Sequence, residues 1–156
     1  MEFYISGSNL SMDIQIKNGL ELTLYGYSGF APKKNWGEVG FGLMNRMWEK
    51  VKGNNLKNKG INIWVYEPDW AIFAGVELEN APPEGLGLET KKVALPKYAV
   101  YKHMGPYNKI GDSLAMAREE LISKGLKPVL PYLEIYGHWD PDESKLETDM
   151  IWKLEN

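Results

Sequence analysis

The chain is built from two copies of one pattern. An alternation of apolar and polar residues, typical of a strand, is followed by a helical pattern and then by two further strand patterns, and this order occurs twice. The halves span about residues 20–79 and 95–156. Because an internal repeat indicates two copies of one supersecondary unit, we predict a single α+β domain over residues 1–156, with duplicated β-α-β-β units related by a pseudo-twofold axis.

The repeat places each element. Strand patterns cover residues 20–27, 61–66 and 70–78 in the first half and 98–104, 132–138 and 148–154 in the second. Helical patterns cover about 36–52 and 108–124, and residues 1–19 are expected to be a leader or an edge strand. We expect an antiparallel sheet with both helices on one face and a ligand cleft on the other.

Composition narrows the class of protein. The 156 residues are 44 % hydrophobic and 25 % charged, which is typical of one globular domain. The chain has no cysteine, which excludes disulfides, thiol catalysis and thiolate zinc sites. The sequence contains neither a signal-peptide pattern nor an apolar run of membrane-spanning length, so a cytoplasmic location is expected. The formal net charge of -3 argues against general nucleic-acid binding.

One face of the predicted sheet carries the chemistry. Side chains alternate along a strand, so Tyr132, Glu134 and Tyr136 point together, whereas Leu133 and Ile135 are expected to point into a helix-covered core. The same parity brings aromatic and imidazole side chains of the other strands to the Glu134 face. The predicted ligand-contacting residues are Glu134, Tyr25, Tyr27, Trp64, Tyr66, Tyr101, His103, Tyr132, Tyr136 and Trp152.

A carboxylate among aromatic rings favours one kind of ligand. Ring faces stack on flat molecules and attract cations, and a poorly hydrated Glu134 is stabilised by a positive guest. An anionic guest would be repelled, so the same side chain would provide both affinity and discrimination. Two alternatives remain open at the sequence level, in which Glu134 is capped by tyrosine hydroxyls or faces solvent.

The second half also resembles a known family. The segment YAVYKHMGPY at 98–107, the strand PYLEIY at 131–136 and DMIW at 149–152 are similar to the GyrI-like family. Its members are the effector-binding domains of multidrug-responsive transcription regulators and their free-standing relatives. The resemblance implies two β-α-β-β units about a pseudo-twofold axis with a central cleft, and it implies that Glu134 contacts cationic drugs.

The resemblance leaves several functions open. The residues before the first strand are too few for a DNA-binding helix-turn-helix, so we expect a stand-alone protein that senses or sequesters a cationic aromatic molecule. We expect it to be a monomer or a weak dimer, and we expect no direct binding to nucleic acid or to a membrane. The alternatives are a hydrolase of reactive small molecules that uses Glu134 with Tyr136 or Tyr101, and an interaction protein with a gyrase or regulator as partner. No cofactor is expected, and two histidines without clustered carboxylates do not indicate a metal site.

Overall fold

The computed structural model describes residues 12–155, and it contains the elements of the predicted repeat in the predicted order. The strands are β1 (Gln15–Phe30), β2 (Asn62–Tyr66), β3 (Ala71–Val76), β4 (Glu89–Met104), β5 (Pro128–Tyr136) and β6 (Glu147–Leu154), and the helices are α1 (Trp36–Gly53) and α2 (Ile110–Ser123). Short 3-10 helices cover Tyr107–Lys109 and Glu143–Lys145. The predicted α+β class with antiparallel strands is therefore confirmed.

The six strands close into a barrel in the order β1-β3-β2-β5-β6-β4, which the sequence did not predict. Closure depends on β1 and β4, which are 16 residues long and pair with each other from Gln15 to Gly26. β1 begins in a solvent-exposed segment without alternation. The first half of β4, in which buried Val93 and Leu95 alternate with exposed neighbours, was not recognised as part of a strand in the sequence. Residues 15–19 of the expected leader belong to β1, whereas 1–11 lie outside the described residues.

The inner face of the barrel forms its own apolar core. This core joins Ile63 and Val65 of β2, Leu133 of β5 and Ile151 of β6, all at most 4 % exposed. Because these strands close on themselves, the inner face is buried without any contribution from a helix. The predicted position of the helices is corrected accordingly, since Leu133 and Ile135 point into the barrel and not toward α1 or α2.

Both helices pack on the outer face, which is the face that carries Glu134. Leu43, Met47 and Val51 of α1 form one cluster with Trp64 and its neighbours, and α2 forms a second cluster over β4, β5 and β6. The cleft therefore lies between the helices on the same face. Within residues 12–155, no helix has the length and apolar character required to cross a lipid bilayer.

The pairing of β2 with β5 places the pseudo-twofold axis. The strand register is symmetric about the central pair, which is Trp64–Glu134. The pairs Asn62–Tyr136 and Tyr66–Tyr132 lie on either side of it. In the sequence repeat, Trp64 aligns with Glu134, and Tyr66 aligns with Tyr136. The axis of the rotation that exchanges the halves therefore passes between Trp64 and Glu134, which occupy equivalent positions on neighbouring strands.

Candidate functional site

A cavity of about 510 Å³ lies over β2 and β5 between the two helices. Its floor includes Trp64, Tyr66, Glu134 and Tyr136, and its walls come from α1, from the start of α2 and from the loops that flank β2 and β5. This volume falls within the range of small-molecule sites, which combine apolar walls with a few converging polar groups. Among the residues that the structure describes, Glu134 is the only charged side chain in the lining.

Glu134 is buried and held by three tyrosines, with only 6 % of its surface exposed. The Tyr66 hydroxyl donates to Oε1 at 3.1 Å and the Tyr132 hydroxyl donates to Oε2 at 2.7 Å. The Tyr136 hydroxyl also donates to Oε1. The solvent-facing alternative is therefore excluded, and the alternative in which tyrosine hydroxyls cap Glu134 describes its hydrogen bonds correctly.

These hydroxyl groups fix the carboxylate without neutralising it. Burial, followed by the negative charge of Glu134, raises the pKa of Tyr66, Tyr132 and Tyr136 far above the usual tyrosine value, so that each hydroxyl remains a protonated donor. Within residues 12–155, no lysine, arginine or histidine forms an ion pair with Glu134. A buried negative charge without a positive partner thus remains at the floor of the cavity.

Aromatic rings in edge-to-face contact form the walls. Trp64 packs against Tyr136 with ring centroids 5.5 Å apart and against Phe41 at 5.6 Å, with interplanar angles of 79° and 87°. Tyr107 meets Tyr136 in the same way at 5.6 Å. Each contact adds about 0.5–1.5 kcal/mol beyond area burial. The rings therefore brace one another, which favours a pocket whose shape exists before a ligand arrives.

Three predicted residues lie outside the lining of the cavity. Tyr132 is buried, and its ring contacts that of Trp152 at an interplanar angle of 43°, with ring centroids 5.3 Å apart. Trp152 and Tyr132 both line a separate groove. Tyr101 lies on the same outer face, among the side chains packed around α2, and does not line the cavity.

Three other predicted residues do not line the cavity either. Tyr27 lies under α1, where the Arg46 guanidinium is 4.1 Å from its ring centroid, and Tyr25 lies beside the connector at 81–88. His103 anchors the start of α2, because its Nδ1 lies 2.8 Å from the Ser113 hydroxyl and its Nε2 lies 3.1 Å from the Pro106 carbonyl. Strand parity places all three side chains on the outer face, but the helices divide that face into separate regions.

Several lining residues were absent from the sequence prediction. They come from α1, from the start of β2 and from the loops that follow β4 and β5, and they include Phe41, Met44, Asn62, Tyr107 and Trp139. Asn62 was detectable, because it lies two residues before Trp64 on the same face of the strand. The loop residues carry no periodic signal; Trp139, for example, lies 73 % exposed beside the cavity.

A glycine of α1 allows the helix to approach this site. A Cβ atom at Gly40 would lie 2.3 Å from the Trp64 indole, whereas one at Gly42 would meet nothing within 4 Å. We therefore expect Gly40→Ala to destabilise the protein by about 2 kcal/mol through overpacking. Gly42→Ala, the matched control in the same helix, should stabilise it by about 0.5–1 kcal/mol. Urea unfolding of both variants measures the difference, and equal effects would contradict the close contact.

Comparisons with known proteins identify the fold. No family model and no curated protein sequence matches the chain. The structure is similar to that of the EcmrR C-terminal domain, with a TM-score of 0.73 and 12 % identity over 92 % of this chain and 98 % of that one. It is also similar to SAV2435 bound to tetraphenylphosphonium, with a TM-score of 0.63 and 17 % identity over 93 % and 95 % of the two chains.

A hydrolase from Listeria innocua is a more distant neighbour, with a TM-score of 0.52 and 11 % identity over 97 % of each chain. Identities this low establish the fold alone. The chain therefore has the GyrI-like fold that the resemblance predicted. Within residues 12–155, no group of three or more histidine, aspartate or glutamate side chains is placed to hold a metal ion.

Proposed function

We propose that this chain binds small amphipathic cations with flat aromatic groups, as an effector sensor or a sequestering protein. The observation that carries the proposal is the buried carboxylate of Glu134, which faces an aromatic cavity and has no ion-pair partner within residues 12–155. A cation in the cavity would supply the missing positive charge. The ring faces around it would add cation–π and stacking contacts.

The charge is large enough to decide which ligands bind. A positive centre about 5 Å from the carboxylate gains about 3 kcal/mol at an effective dielectric constant of about 20. A negative centre at the same place loses a similar amount. Within residues 12–155, Glu134 is the sole charged residue of the cavity lining, so no other described lining side chain offsets this preference.

A fold neighbour supports the same ligand class. SAV2435 has been solved with tetraphenylphosphonium, a cation whose charge is surrounded by four phenyl rings. The two chains share 17 % identity, so the comparison supports the proposal through the fold and not through matched residues. The cavity here offers the chemistry such a molecule requires, which is one anionic group surrounded by aromatic rings.

The hydrolase alternative has less support from the site. A general base needs a carboxylate lone pair directed at water, but Oε1 of Glu134 already accepts two hydroxyls and Oε2 accepts a third. The raised pKa of Tyr136 also opposes its use as a nucleophile, because the tyrosinate form is disfavoured. This arrangement is better suited to holding a charge in place than to moving a proton.

The test compares two probes of nearly the same shape and opposite charge. Tetraphenylphosphonium and tetraphenylborate are each titrated into the wild-type protein by calorimetry, at equal ionic strength. We expect saturable binding of the phosphonium at one site per chain and no measurable binding of the borate. Comparable affinity for both ions would contradict the proposal, because apolar burial alone would then account for binding.

A further inference from the structure

We propose that Asn62 presents its amide nitrogen to the ligand, so that the preferred ligands are aromatic cations that also carry a hydrogen-bond acceptor, such as a ketone, ester or ether oxygen. This inference rests on the proposed function, because it concerns the same cavity. It adds a second recognition element, at the opposite end of the floor strands from the Tyr66–Tyr132 pair.

The orientation of the amide is fixed by a tryptophan. Trp48 Nε1 lies 2.6 Å from Asn62 Oδ1. An indole N–H only donates, so the oxygen of the amide must face Trp48 and the nitrogen must face away from it. Trp48 does not line the cavity, whereas Asn62 does. The part of the amide that remains for the cavity is therefore its N–H donor group.

The side-chain nitrogen of Asn62 is an unpaired donor as far as the described residues are concerned. Within residues 12–155 no group accepts a hydrogen bond from Asn62 Nδ2, and this nitrogen is not among the buried unpaired polar atoms. It is therefore open to solvent and to ligand. Asn62 pairs with Tyr136 across the strands, and the Tyr136 hydroxyl donates to Glu134, so the donor and the carboxylate belong to one continuous surface.

Glu134 and Asn62 favour different chemical groups on the same ligand. Glu134 favours positive charge and Asn62 Nδ2 favours a neutral acceptor atom, so a molecule that offers both would satisfy each group. A cation without an acceptor would leave the amide nitrogen without a partner if it excluded water there. Asn62 would thus select among aromatic cations that Glu134 attracts equally.

The experiment uses a matched ligand pair and a variant that preserves the Trp48 contact. The probes are tetraphenylphosphonium and its derivatives with one acetyl group at the meta or para position of one ring. The variant is Asn62→Asp, which keeps an oxygen for Trp48 Nε1 and replaces the amide nitrogen with a second oxygen. For wild type we expect at least one acetyl derivative to bind about 3- to 10-fold more tightly than the parent cation.

In Asn62→Asp the ratio of the affinity for the acetyl derivative to the affinity for the parent cation should fall to 1 or below, because the new carboxylate repels the acetyl oxygen. The parent cation itself should bind more tightly than it does to wild type, because a second negative charge then faces it. A preference absent in wild type, or retained in the variant, would overturn the role of Asn62 and leave the proposed function standing. Failure of every cation to bind wild type would overturn both. Circular dichroism of the variant confirms that its fold is retained.

Discussion

Glu134→Gln is expected to weaken the binding of tetraphenylphosphonium about 100-fold, which corresponds to the loss of about 3 kcal/mol of charge attraction. The amide has nearly the shape of the carboxylate and can still accept from the Tyr132 hydroxyl or donate to another tyrosine oxygen. The variant should therefore fold and keep its aromatic cavity. Calorimetric titration with the phosphonium measures the change in Kd directly.

The control for this variant is Glu21→Gln, which removes one negative charge from an exposed position on β1. Its affinity for the phosphonium should remain within about twofold of wild type, because solvent screens an exposed charge. Equal losses in both variants would attribute the preference for cations to net charge. An unchanged Kd in Glu134→Gln would remove the central support for the proposed function.

The second large effect concerns alkaline pH. Between pH 10 and 11 the free energy of unfolding should fall by about 3 kcal/mol, since Tyr66, Tyr132 and Tyr136 each contribute about 1 kcal/mol over that interval. The cause is their raised pKa in the folded state, which results from burial and then from the charge of Glu134. In the unfolded chain these tyrosines lose their protons near pH 10.

The direction follows from proton binding. Above pH 10 the unfolded chain binds fewer protons than the folded protein, so the free energy of unfolding decreases as pH rises. Below pH 10 the three tyrosines make their full contribution to stability. Urea unfolding at half-unit steps from pH 9 to 11 measures the slope. In Tyr132→Phe the fall between pH 10 and 11 should be smaller by about 1 kcal/mol. A slope that Tyr132→Phe leaves unaltered would contradict this account.

Tyrosinate absorbance provides an independent readout. The three hydroxyls that donate to Glu134 should ionise only as the protein unfolds, so part of the tyrosinate signal should appear together with the loss of circular dichroism. If all tyrosines ionised while the fold persisted, the raised pKa values would be refuted without reference to stability.

The sequence carried enough information to predict the repeat and the carboxylate at its centre. Period-two alternation in 132–136 placed Glu134 with Tyr132 and Tyr136 on one face of the sheet, and the same parity assigned Trp64 and Tyr66 to that face. Parity does not say which face of a sheet a helix will cover. An apolar inner face such as that of Ile63 and Leu133 can be buried by helices or by closure of the barrel, and only long-range pairing between β1 and β4 decides.

The remaining part of the site depends on packing that no local pattern encodes. Phe41 reaches the cavity because Gly40 lets α1 approach the Trp64 ring, and that distance is a tertiary property. Tyr25 and Tyr27 have the correct parity, yet α1 and the connector at 81–88 separate them from Glu134. Residue types and strand faces were thus predictable, and the partition of one face into separate regions was not.

The axis between Trp64 and Glu134 has a consequence for how such a cavity can be assembled. Two identical subunits joined in this way would bring like side chains together at the centre, either a pair of carboxylates that repel each other or a pair of indoles with no charge. A single covalently joined chain is free of that constraint. It can place the carboxylate of Glu134 beside the indole of Trp64, so that the floor of the cavity is negatively charged on one side only. Such a floor would favour a single orientation of a bound molecule.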